Sequence, residues 1–149
     1  TFGMIQQMLQ IDFHEKRILD MGCGTAVLAI LAEKLGATQT QGIDIDEWAY
    51  NNALENLQVN DCNNIQITIG GAEKIKGFFD GILANINRNI LLNDIPQYSA
   101  ALKTGGFILF SGFYTEDLML IKQVALDYGL EYIQHTNKDN WVAAQFLKR

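Results

Sequence analysis

The sequence predicts an α/β fold, a doubly wound seven-stranded sheet that is mostly parallel and ends in an antiparallel hairpin. Three observations predict it. Short β-branched runs alternate with helical patterns from Arg17 to the end of the chain. A turn with two glycines joins the first run to a helix, and only Lys138-Asp139-Asn140 separates the last two runs, too few residues for a crossover helix.

The strands are expected at Arg17–Met21, Gln39–Ile43, Ile65–Ile69, Phe79–Ala84, Phe107–Ser111, Tyr132–Thr136 and Trp141–Leu147. Between them, Ala26–Leu35 and Trp48–Val59 carry apolar residues at helical spacing. Gly36 ends the first, and Asp46 is placed to cap the second. Pro96 is suited to open a helix that runs to Leu102, and Thr115 to cap one that runs to Tyr128 and stops at Gly129.

Composition narrows the field. The 149 residues, 48% of them hydrophobic, suffice for one buried core, so residues 1–149 are read as one domain. A net charge of −6 opposes phosphate backbones and anionic membranes and suits a basic protein partner. Direct contact with nucleic acid is therefore not expected, and no apolar run approaches membrane-spanning length. Cys23, Cys62, His14 and His135 show no metal-ligand spacing, so no metal site is expected. Two isolated cysteines without a secretory signal point to a cytoplasmic protein, with a Cys23–Cys62 disulfide left open. The chain starts at Thr1 and reads as a fragment of a longer protein.

The segment Asp20-Met21-Gly22-Cys23-Gly24-Thr25 joins a buried strand to a helix, and glycines there let a ligand lie against backbone. About twenty residues on, Gly42-Ile43-Asp44-Ile45-Asp46 ends the second strand where a ribose-binding acid belongs. Asp44 can accept from both ribose hydroxyls and Ile45 can cover adenine, while Asp46 caps the next helix. Val27 stands where a dinucleotide fingerprint wants glycine or alanine, and Asp20 would face a pyrophosphate, so a nicotinamide cofactor is disfavoured. An ammonium-bearing cofactor suits Asp20 instead. Asp20 has two roles open to it: meeting that ammonium, or fixing the turn through backbone amides.

These two segments, with Ile82-Leu83-Ala84-Asn85-Ile86-Asn87, resemble the successive motifs of class I S-adenosylmethionine-dependent methyltransferases. More narrowly, the chain resembles the PrmA-type bacterial enzymes that methylate the eleventh protein of the large ribosomal subunit. The similarity covers nearly the whole chain, including Gly105-Gly106-Phe107-Ile108-Leu109-Phe110-Ser111-Gly112 and Trp141. It implies a Rossmann-like sheet of strand order three, two, one, four, five, seven, six, S-adenosyl-L-methionine as cofactor, and a separate N-terminal substrate-recognition domain. It also implies a cytoplasmic enzyme that methylates lysine and amino-terminal amines of a ribosomal protein. Gly22, Gly24, Asp44 and Asn85 are then cofactor contacts, with Asp20, Cys23 and Ile45 beside them.

Three departures stand out. Ala26 replaces the usual glycine of the turn, which requires negative φ or a shifted backbone. Gly71 replaces the acid often found after the third strand, leaving adenine to the backbone of Gly71 and Ala72, or to Glu73. Thr1-Phe2-Gly3 resembles the start of a segment rich in threonine and histidine, yet Met4 follows at once; a loop missing between Gly3 and Met4 is therefore expected.

Methyl transfer from a sulfonium needs alignment more than acid–base equipment. Asn85, at the end of a buried strand, is the candidate catalytic residue, orienting the acceptor amine; its other role would be to cap the segment before Arg88. Trp48 and Trp141 read as packing residues, although Trp48 is near enough to Asp44 in sequence to flank the cofactor; His14 and His135 read as surface or strand residues, and Cys23 as a small turn residue without nucleophilic function. The run Glu73-Lys74-Ile75-Lys76 reads as a solvated loop. The competing functions are a small-molecule methyltransferase of the same fold and an inactive cofactor-binding interaction module.

Overall fold

A computed structural model describes all residues, Thr1–Arg149. Its sheet has seven strands in the order β3-β2-β1-β4-β5-β7-β6: β1 Arg17–Met21, β2 Gln39–Asp44, β3 Ile65–Ile69, β4 Phe79–Asn85, β5 Leu102–Tyr114, β6 Leu130–Lys138 and β7 Trp141–Lys148. The β1–β2, β1–β4, β2–β3 and β4–β5 pairs are parallel. Strand β7 inserts antiparallel between β5 and β6. This is the strand order that the family resemblance implies, with the hairpin expected from the short turn Lys138-Asp139-Asn140.

Alternation in the central strands explains their uniform apolarity, because both faces are covered. Leu19 and Met21 of β1, Ile82 and Ala84 of β4, and Ile108 and Phe110 of β5 enter one core with Leu91, Ile95 and Ile121. These come from helices α4, Arg88–Ala101, and α5, Leu118–Asp127. Ile18, Leu83, Phe107 and Leu109 point the other way, against Met4, Met8, Leu28 and Ala32. Helices α1, Phe2–Met8, and α2, Val27–Lys34, supply that side; α3, Glu47–Val59, joins it through Ala53 and Leu57, which pack with Ala29 and Ile67.

Several boundaries differ from expectation. Helix α4 begins at Arg88, eight residues before Pro96, which lies inside it. The cap is Asn87, whose side chain accepts from the Ile90 N–H at 3.1 Å. Burial of Leu91 and Ile95 on the sheet holds the helix through the proline despite the missing N–H. Thr115 does not cap α5; Thr115–Asp117 form a 3₁₀ turn leading into it. Ala72–Lys74 is likewise a short 3₁₀ turn rather than open loop, with Ile75 packed on the core. Strand β5 extends well beyond Phe107–Ser111.

Helix α1 had no sequence expectation, although Met4 and Met8 carry its i, i+4 signature and are fully buried. It runs through Gly3 and Met4, with the Ile5 N–H bonded to the Thr1 carbonyl at 2.9 Å across that junction. Cys23 and Cys62 are both free and buried, so no disulfide joins them. No helix is long and apolar enough to cross a membrane.

Candidate functional site

The carboxyl ends of β1, β2 and β4 meet at the turn after Met21. Gly22, Gly24 and Ala26 all have positive φ, 68°, 53° and 69°. Ala26 thus takes the left-handed conformation usual for glycine, with its methyl group fully buried, and the expectation of negative φ fails. A Cβ on Gly22 would press against Ile86 at 2.9 Å, whereas one on Gly24 would enter open space. Gly22 is therefore set by packing, and Gly24 leaves an accessible stretch of backbone.

The amides of this turn are spent inside the protein. Gly22 and Cys23 donate to the Ile43 carbonyl at 2.7 and 3.1 Å, and Gly24 donates to Asp44 Oδ2 at 2.8 Å. They form no phosphate-binding nest, which agrees with the reading against a dinucleotide. The other Asp44 oxygen, Oδ1, accepts from the Asp46 N–H at 2.9 Å, and the Asp44 carbonyl accepts from Gly70 at 2.9 Å. One residue thereby ties the ends of three strands. Asp46 caps α3 as expected, accepting from the Trp48 N–H at 2.9 Å.

Asp20 occupies the opposite chemical situation. Alternation places it on the α2 face of β1, 1% exposed, and its Oδ2 has no hydrogen-bond partner. Burial pushes its carboxyl up to about 8; the Ala29 backbone N–H acts against that rise, and Asp44 adds to it. The Gly22, Cys23 and Gly24 amides go elsewhere, and the backbone N–H that reaches Asp20 is that of Ala29 in α2. A buried acid with one oxygen left unpartnered fits a ligand bearing a cationic group. Burial, with Asp20 and Asp44 adding, raises the Cys23 thiol far above its ordinary value, so it is no nucleophile.

Two cavities adjoin here. The smaller, about 190 Å³, is lined by Asp20, Gly22, Cys23, Gly24 and Asn85 among others. The larger, about 380 Å³, lies between α1, the end of β5 and the β6–β7 hairpin, with Phe2, Ser111, Lys138 and Trp141 on its walls. Asn85 and Thr1 line both. The Asn85 amide donates from Nδ2 to Thr1 Oγ1 at 3.4 Å, and the capping role considered for it belongs to Asn87.

Asp44, Ile45, Gly71 and Ala72 are outside the smaller cavity. Ile45 is 75% exposed beside it in sequence, and the Gly70 bond to Asp44 brings the Gly71–Ala72 segment next to the same strand end. The Gly71 N–H is already bonded to Glu73 Oε1 at 3.0 Å. That bond lowers the Glu73 carboxyl and reduces what either group offers to adenine.

Sequence reading missed the larger cavity, because its walls come from both ends of the chain. Of the two readings of Trp48, packing is not the one found, since the residue is 75% exposed near Ile45. The signal was present: at the first turn of α3, next to its capping aspartate, the apolar face points elsewhere, to Ala53 and Leu57. Trp141 is half-exposed and stacks on Tyr114 with ring centroids 4.5 Å apart. His14 and His135 are exposed, away from both cavities.

The family model of ribosomal protein L11 methyltransferase (PrmA) matches residues 1–149. Two similar proteins are the ribosomal protein L11 methyltransferases of Phocaeicola vulgatus, 44% identical over 151 positions, and Porphyromonas gingivalis, 46% identical over 148. The first match covers 100% of this chain and 54% of the relative, the second 98% and 51%, so the chain spans about half the length of the curated relatives it matches. The crystal structure of a ribosomal protein L11 methylase from Lactobacillus delbrueckii subsp. bulgaricus superposes with a TM-score of 0.88 at 29% identity, over 99% of this chain and 76% of that one. A methyltransferase from Pyrococcus furiosus shares the fold at TM-score 0.84 and 20% identity, over 97% and 82%. The cofactor implied by such a match is S-adenosyl-L-methionine, whose ammonium suits the Asp20 oxygen left without a partner. With a matched model from the first residue to the last and a sheet of the corresponding order, this chain belongs to the ribosomal protein L11 methyltransferase (PrmA) family.

Proposed function

We propose that residues 1–149 form the cofactor-binding, catalytic domain of an S-adenosylmethionine-dependent N-methyltransferase. Its acceptors are lysine side chains and the amino terminus of ribosomal protein L11, presented by a substrate-recognition domain upstream. The observation that carries this reading is the position of Asn85, on the wall between a cavity holding an unpartnered acid and a larger cavity open to an acceptor.

Bound S-adenosylmethionine supplies an electrophilic methyl group on sulfur. Asp20 holds the ammonium end, and Asp44 accepts from the ribose with the lone pairs that its backbone bonds leave over. Ile45 covers one face of the adenine, while the Gly71–Ala72 backbone borders it. Gly22, Cys23 and Gly24 shape the wall against which the middle of the cofactor lies.

Asn85 has its Nδ2 turned to Thr1, which leaves Oδ1 to accept from an incoming neutral amine and aim its lone pair. Asn85 is an orienting group and takes no proton; the acceptor amine sheds its own before transfer. The net charge of −6 favours a basic acceptor protein and disfavours phosphate backbones.

The test is methyl transfer by the full-length protein to purified ribosomal protein L11, followed by intact mass. Asn85→Ala should lower kcat about 100-fold, the scale of a misplaced reacting group, while calorimetry shows a smaller loss of cofactor affinity, about 10-fold or less, the value of one neutral hydrogen bond. Absence of transfer by the wild type, or an unaffected Asn85→Ala, defeats the proposal.

A further inference from the structure

Lys138 ends β6 opposite Trp141, and the two residues that follow, Asp139 and Asn140, both have positive φ, 50° and 72°. That is the tight hairpin turn whose twist matches its strands, so the Lys138 backbone is held in place. Its ammonium makes no ion pair: the four in the chain are His14–Glu15, Arg88–Asp117, Lys103–Asp80 and Arg149–Glu131. Instead Nζ lies 4.5 Å from the centroid of the Phe2 ring, within cation–π range. Phe2, Lys138 and Asn85 all line the larger cavity. Arg17 rests on Phe79 and Lys122 on Tyr132 in the same way, but of the three rings only Phe2 lines the larger cavity, which makes it the cation site open to an acceptor.

We infer that the face of Phe2 is the ammonium subsite of the acceptor cavity and that Lys138 is its resident occupant. An incoming protonated amine takes the ring as Lys138 swings out to solvent, and then moves, once neutral, toward Asn85. Lys138 thus sets acceptor affinity by competition, and the ring selects amines over neutral groups. This inference rests on the acceptor reading of that cavity given above.

Two measurements on the full-length protein test it. By NMR, the Lys138 ε-protons should be shifted upfield by the ring, and Phe2→Leu should abolish the shift. A lysine-containing peptide should return those resonances to their solvent position, whereas the same peptide with norleucine for lysine and an acetylated amino terminus should not. In kinetics, Lys138→Met should lower KM for the acceptor about two- to fivefold, the range of a surface cation–π contact. Phe2→Leu should raise KM, and Phe2→Leu/Lys138→Met should match Phe2→Leu alone.

An upfield shift that survives saturating lysine peptide, displacement by the norleucine peptide, or an unchanged or raised KM in Lys138→Met overturns the inference. A wild type without any methyl transfer instead overturns the functional reading, and the displacement titration still reports on the subsite.

Discussion

Asp20→Asn isolates the cost of burying one acid. With the folded carboxyl pushed up to about 8 by burial, Asp20 stays protonated in the folded chain while it ionises near its ordinary value of 3.8 in the unfolded one. Below that value both states hold the proton and there is no penalty. As the pH rises toward 8, only the unfolded state releases it, so this group makes stability fall by up to about 1.4 kcal/mol per pH unit. At pH 7 the accumulated penalty has a ceiling on the order of 4 kcal/mol. Asparagine never ionises, but it brings two amide hydrogens into a site without protein acceptors, which costs about 1–3 kcal/mol. We expect Asp20→Asn to be more stable than wild type by about 2 kcal/mol at pH 7, with that advantage gone at about pH 5 and reversed at pH 4, where only the cost of the amide remains. Urea unfolding of both proteins from pH 4 to pH 8 reads the difference directly, because all other titrations cancel. Calorimetry should meanwhile show cofactor affinity reduced about 10- to 100-fold, the value of a hydrogen bond to a charged group. A variant less stable at pH 7, or a stability gap that ignores pH, refutes the burial reasoning; full affinity refutes the ammonium role.

Wild-type affinity for S-adenosylmethionine should rise with pH toward about 8, since pairing with the cofactor ammonium expels the Asp20 proton, and fall beyond it as the cofactor amine itself neutralises near 8. Calorimetry over that range checks the maximum. Gly112→Ala should destabilise by about 2–4 kcal/mol, because φ is 98° there and an added Cβ would collide with the Ile86 backbone. Denaturant unfolding measures it, and a loss under about 1 kcal/mol would contradict the geometry. Pro96→Ala should stabilise by about 1–2 kcal/mol, restoring an α4 N–H at a helix-interior position, with a thermal midpoint that rises accordingly. Trp48, 75% exposed, should change its fluorescence on cofactor addition, and Trp48→Phe should remove most of the response, Trp141 being stacked on Tyr114.

The sheet was legible because its strands follow local rules. Continuous apolar runs such as Ile82-Leu83-Ala84 report burial on both faces, and Lys138-Asp139-Asn140 is too short for anything except a hairpin. The turn after Met21 and the acid at the end of β2 were legible for the same reason: each is a short segment whose chemistry depends on its immediate neighbours. What escaped was non-local. Pro96 reads as a helix opener by propensity, yet Leu91 and Ile95 fix the helix upstream by burial. The larger cavity joins Phe2 to Trp141, a contact that no local pattern announces. The partition of hydrogen bonds around Asp44 and Asp20 also lay outside sequence reasoning, since two similar aspartates differ in their burial and in which amides reach them.

The bonding of Asp44 restricts how such a protein can be re-engineered. Its carboxylate and carbonyl clamp the glycine turn, the start of α3 and the loop after β3 in a single knot. Exchanging this one side chain to favour a different nucleotide would loosen the glycine turn and the start of α3 before altering selectivity, while the backbone bond to the loop after β3 would stay. A designer would have to transplant the crest from Asp20 to Gly71 as one piece.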